Sequence, residues 1–128
     1  MFLVLGAIVL VGSSALAHHG YANFYLDQNK SIEGQLESVR FVNPHVVLTI
    51  RAADSTMYTA TWNAASQVER EGVTRTTLKI GDHLIVTGAP PRDPTSRELM
   101  PGWEISRPGD GWRWVRASRV ISTVRPAY

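Results

Sequence analysis

From residue 31 onward, apolar and polar residues alternate with a period of two, and this pattern confines most of the chain to β-strands. In residues 31–41, Ile32, Gly34 and Leu36 share one face, followed by Val39 and Phe41. The phase therefore slips by one residue around Glu37-Ser38, as a β-bulge in a long, bent strand would make it do. Asn43-Pro44 ends that strand. In residues 45–51, Val46, Leu48 and Ile50 point inward, and His45, Val47, Thr49 and Arg51 point outward. A turn at 53–55 leads to 57–62, where Tyr58, Ala60 and Trp62 alternate with Met57, Thr59 and Thr61. The pattern then changes: Asn63 is the expected N-cap of a short helix over 64–71, and Gly72 is its stop. A turn at 78–82 delivers the chain to a strand at 83–88 that faces Leu84 and Val86 inward. Pro90-Pro91 closes it, and residues 112–124 read as the last strand.

Three strands, a helix and two strands predict an all-β domain with one short helix, built as a small five-stranded OB-like Greek-key barrel. A β-sandwich is the competing architecture, and five strands are few for it. The long excursion at 90–111, rich in Pro and Gly, is either a functional loop or the cover for a hairpin around 99–105. The barrel domain is expected over 31–124, behind a tail at 18–30 and a signal peptide at 1–17. Residues 2–11 are almost wholly apolar, and Ala15-Leu16-Ala17 supplies the small-x-small pattern of a cleavage site. That run falls short of the roughly 20 residues a spanning helix needs. No stable membrane anchor is then expected after cleavage, and the expected location is periplasmic or secreted. No Lys or Arg precedes the apolar run, so the export signal is a weak one or the true start lies upstream. An uncleaved membrane tether is the competing reading.

The chain of 128 residues contains no cysteine, which excludes disulfides, thiolate metal sites and cysteine nucleophiles. Its formal net charge of +2 is too small to argue for a nucleic-acid partner. Arg113, Arg116, Arg119 and Arg125 crowd the C-terminus, where they read as the solvated face of a strand.

Cleavage after Ala17 would begin the mature chain with His18-His19-Gly20. A first-position histidine offers both its α-amine and its ring to one ion, and an α-amine with a pKa near 8 gives up its proton readily. Imidazole suits copper, zinc and nickel, so His18, His19 and His45 form a candidate metal site, with Cu(II) the expected ion. The competing expectation is a tail that binds nothing specific. Asn43-Pro44-His45 reads as a rigid turn that presents His45, either as a ligand or merely as an exposed side chain. His83, beside Asp82, reads as a surface histidine satisfied by its neighbours. Trp62 reads as a core plug. Trp103, Trp112 and Trp114 border the excursion and form a candidate face for a glycan or protein partner, or else cover a barrel end. Asp27, Glu33, Glu37, Asp54, Asp82 and Asp93 are scattered, and the chain carries no nucleophile elbow, zinc-protease, phosphate-loop or dinucleotide motif. The sequence thus motivates no enzyme.

Taken together, His18-His19 after the signal, Phe24 before Asp27, Ser31-Ile32-Glu33-Gly34, Asn43-Pro44-His45, Trp62, Gly72, Leu78, Gly81-Asp82, Val86 and Gly88 form a recognisable set. On these residues the chain resembles the exported bacterial domain-of-unknown-function family six-one-five-two, over about 18–88. It departs at Gly20, where the family usually has Ser, and at Val73, where Trp is usual. The resemblance implies an exported OB-like domain and no particular activity. Two functions of different class are therefore expected: a periplasmic metal-binding protein, or a non-enzymatic module that holds a protein or glycan partner. The second includes a subunit that self-associates through an edge strand.

Overall fold

The structure, a computed structural model, describes residues 20–100 and 102–117. A 3-10 turn at Tyr21–Asn23 is followed by β1 (Lys30–Arg40), β2 (Val47–Arg51), β3 (Met57–Thr61), helix α1 (Ala65–Arg70), β4 (His83–Gly88), β5 (Glu98–Leu99), β6 (Gly102–Arg107) and β7 (Trp112–Val115). The strands form one sheet in the order β5-β3-β2-β1-β4-β6-β7. The fold is thus mostly β with one short helix, as the alternation predicts.

Strand β1 organises the sheet. Its first half, from Lys30 to Gln35, pairs antiparallel with β4, and its second half, from Gln35 to Arg40, pairs antiparallel with β2. Leu36 opposes Ile50 and Ser38 opposes Thr49, so Glu37 is the extra residue of a bulge at the expected phase slip. The strand bends so far that β2 closes over Gly34. A Cβ there would stand 2.2 Å from the carbonyl oxygen of Arg51, a space only glycine can leave.

The inward set forms the core. Leu36, Val46, Leu48, Ile50, Leu84 and Val86 are fully buried. Ala65 and Val68 of α1 pack against them, and Gly72, at φ 86°, turns the chain out of the helix. Trp62 meets Trp114 edge to face, with ring centroids 4.8 Å apart. A second, smaller cluster joins Phe24, Ala89 and Trp103, with Met100 packed against it.

Two expectations need correction. The sheet has seven strands rather than five, because the 90–111 excursion contains β5 and β6. β5 pairs parallel with β3, and β6 pairs antiparallel with β4 and β7. The Pro and Gly content masked a short alternating run in which Trp103 and Ile105 are buried. Asn63 does not cap α1: the N-cap position is Ala64, which makes no side-chain cap bond. Within the tail expected at 18–30, Phe24 and Tyr25 pack onto the domain, whereas 20–23 and 26–29 are exposed. Phe24 is 2% exposed and bridges to Pro91, the Tyr25 N–H donates to the Pro90 carbonyl, and the Arg92 N–H donates to the Asn23 carbonyl. Of the last expected strand, 112–115 is observed, and 118–124 lies outside the described residues.

Candidate functional site

The Asn43-Pro44-His45 turn is built into the core by a ladder of contacts. Asn43 Oδ1 accepts the Ser66 N–H at 3.1 Å, so the free helix donor that a local cap would satisfy is met from 23 residues away. The Val46 N–H donates to the Asn63 carbonyl, and the Trp62 N–H donates back to the Val46 carbonyl. The Asn43–Pro44 peptide is cis, and beyond it the His45 ring lies against the end of β3. His45 Nδ1 is 3.2 Å from the carbonyl oxygen of Trp62. A carbonyl only accepts, so Nδ1 carries the proton and the neutral ring presents its lone pair at Nε2.

His45 lines a cavity of about 330 Å³ together with Tyr21, Pro44, Trp62, Asn63, Glu71, Met100 and Arg116. Arg116 Nη2 donates a short hydrogen bond to Asn63 Oδ1, which accounts for this buried amide without a capping role. Glu71 Oε2 accepts the Trp114 indole N–H at 2.7 Å. The cavity therefore gathers one imidazole, one carboxylate and one guanidinium in a wall of mixed polar and apolar groups.

Of the other sequence-predicted site residues, His18 and His19 lie outside the described residues. Among the described residues, no three His, Asp or Glu side chains converge as a metal cluster. Trp103 and Trp114 are buried in different clusters, and Trp112 is half-buried with the Arg107 guanidinium over its ring, so the three do not share one open face. His83 is exposed, and its partner is Glu33 on the neighbouring strand, at 2.8 Å, rather than Asp82. Asp82 belongs to a different arrangement, at the edge of a cavity of about 660 Å³. Burial raises its carboxyl, but the Lys79 backbone N–H and the Arg107 guanidinium outweigh that and hold it below its ordinary value. Arg107 also bonds Asp110 and the Thr77 carbonyl, so it ties the β6–β7 turn to the loop before β4.

Arg116, Asn63 and Glu71 are the site residues that sequence reasoning missed. For Arg116 a signal was present. It shares strand parity with Trp112 and Trp114, which places an arginine on the inward face rather than the solvated one. Asn63 was hidden by its resemblance to a local cap, and Glu71 carried no signal.

The fold and cavity define a small β-sheet domain with a histidine-bearing pocket at the junction of β3, α1 and the end of β7. The chain belongs to the family of unknown function DUF6152, whose model matches residues 7–100. That span includes the Asn-Pro-His turn, Asn63 and Glu71, and ends before Arg116. No curated protein matches the chain, and no solved structure matches it.

Proposed function

We propose that this chain is an exported, periplasmic metal-binding domain of OB-like build that takes a borderline ion, Cu(II) foremost, through His18, His19 and His45. The observation that carries the proposal is the bond from His45 Nδ1 to the Trp62 carbonyl. Metal-binding histidines characteristically donate their second ring nitrogen to a carbonyl or carboxylate, which fixes the tautomer and aims the free nitrogen at the ion. The N-terminal segment supports a shared site. Tyr21 lines the same cavity as His45, and His19 precedes Tyr21 by two residues, a reach of about 7 Å at most along the backbone. Glu71 lines the same cavity, with one carboxylate oxygen taken by the Trp114 indole N–H.

The OB-like reading rests on the strand pairings. β1 is shared between β2 and β4, and β5 and β6 are separated by only two residues yet reach β3 and β4 respectively. That segment acts as the fifth barrel strand, curling the two sides of the sheet toward each other, and β7 is an addition to it.

A metal held in this way requires deprotonated ligands, so its binding weakens as pH falls. The test is Cu(II) affinity, by competition with a chromophoric chelator, for protein beginning at His18, its N-acetylated form and His45→Ala. Acetylation removes the amine and keeps both rings. Clear weakening in both altered forms supports the site, and three equal affinities would refute it. The other reading, a module for a protein or glycan partner, finds no shared open face at Trp103, Trp112 and Trp114, and the cavity favours a small ligand instead.

A further inference from the structure

Sulfur is scarce in this protein, which makes its place informative. The chain has no cysteine and three methionines, of which Met1 precedes the proposed start at His18. Met57 is exposed on β3, opposite Arg51, and forms no part of the cavity wall. Met100 is the remaining thioether, and it lines the cavity together with His45, Tyr21 and Thr61. The strand register explains how it comes to stand there. Leu99 of β5 pairs with Ala60 of β3, and both side chains are buried in the main core. Side chains alternate along an extended chain, so the next residue, Met100, takes the opposite side of the sheet, beside Thr61. His45 takes that side too, because its neighbour Val46 is the one buried in the core. The Met100 N–H donates to the Ala89 carbonyl, and the half-buried side chain packs against Phe24, Ala89 and Trp103.

A thioether is a soft, uncharged donor that selects Cu(I), whereas imidazole nitrogen suits copper in both oxidation states. It also binds without giving up a proton. Arg116 and Glu71 bring opposite charges to the wall, so the softness of the ligands rather than the charge of the cavity sets the preferred ion. A methionine side chain turns about three bonds, which lets its sulfur meet an ion while the backbone stays in place. Resting on the copper site proposed above, we infer that Met100 is a further ligand of that site. The cavity binds Cu(I) through Met100 Sδ and His45 Nε2, whereas Cu(II) is held by the nitrogen ligands alone. The two oxidation states thus share His45 and differ in the sulfur.

Protein beginning at His18 contains only Met57 and Met100, so its methionine methyl groups supply both a probe and an internal control. The experiment is an anaerobic ¹H–¹³C NMR titration of methyl-labelled protein with Cu(I). The expected result is saturable movement of the Met100 methyl resonance with the Met57 methyl left in place. Cu(I) affinity is measured in parallel by competition with bicinchoninate for wild type and Met100→Leu, a swap that conserves volume. Losing a hydrogen-bond partner of a ligand already weakens metal binding ~tenfold, so losing the ligand itself is expected to cost at least as much. Cu(II) affinity is expected to be the same in the two proteins. A Met100 methyl that Cu(I) does not move would overturn the inference, as would equal movement of both methyl groups. Equal Cu(I) affinities would overturn it too, and so would Cu(II) and Cu(I) affinities that fall together in Met100→Leu. The methyl titration uses wild type alone and decides the matter even where the variant does not fold. Cu(II) binding by wild type is a separate readout, so failure of the sulfur ligand is distinct from failure of the nitrogen site.

Discussion

Gly34 and Asn43 bear most on the geometry of the site, and neither touches a ligand. At Gly34 a methyl group would overlap backbone atoms of Arg51, which cannot withdraw without parting β2 from the bend of β1. Gly34→Ala is expected to lower stability by about 3 kcal/mol, read as a fall in the urea midpoint. Asn43→Ala removes the acceptor for the Ser66 N–H and is expected to lower stability by about 1 kcal/mol, the usual worth of a cap. It also loosens the turn that holds His45, so Cu(II) affinity is expected to fall although no ligand has changed. The sequence made the rigidity of Asn-Pro-His legible, and with it the exposure of His45. It did not reveal which asparagine serves the helix. Cap signals are read from neighbours in sequence, and here the acceptor arrives from a different loop while the adjacent Asn63 bonds Arg116.

At the scale of elements, alternation was an accurate guide wherever strands were long. β1 with its bulge, β2, β3 and β4 all follow it, and their inward residues are buried except Val39 and Tyr58, which are partly buried against the core. The method failed between 90 and 111. β5 is two residues long, and the proline at 101 separates it from β6, so neither run is long enough to establish a period. Pairing partners far away in sequence determine those strands, and a single chain does not display them. The Asp82–Arg107–Asp110 clamp is likewise a product of tertiary approach, since 25 residues separate its first two members. The folded carboxyl of Asp82 sits below its unfolded value, so its contribution is fully present above about pH 4 and is lost as pH falls through the folded value. Asp82→Asn is therefore expected to flatten the acid limb of the stability curve below about pH 4, measured as urea midpoint against pH. Arg107→Ala, which leaves a largely buried carboxylate without its cation, is expected to cost about 1.5–3 kcal/mol near neutral pH.

Over the whole molecule, the cavity forms where parts of the chain far apart in sequence meet: Tyr21, the turn at 44–45 with the end of β3, and Arg116 just after β7, with Gln67, Glu71 and Met100 completing the wall. Sequence reading identified the first two as chemically interesting on independent grounds, the histidines and the Asn-Pro-His turn. It treated the third as a solvated arginine, because the inward parity of Arg116 means little until Trp114 is known to be buried beside Trp62. The central claim is that His45 Nε2 binds an ion shared with the N-terminal histidines. Electron spin echo envelope modulation of one equivalent of Cu(II) on protein beginning at His18 tests it most directly, comparing wild type with His45→Ala. The technique detects the remote nitrogen of a coordinated imidazole, which for His45 is the Nδ1 bonded to Trp62. The account predicts that the wild-type signal reports more coordinated imidazoles than the variant, and that the difference disappears in acid, where protons displace the ion from the imidazoles. Identical modulation in the two proteins would contradict it and leave His45 outside any copper site.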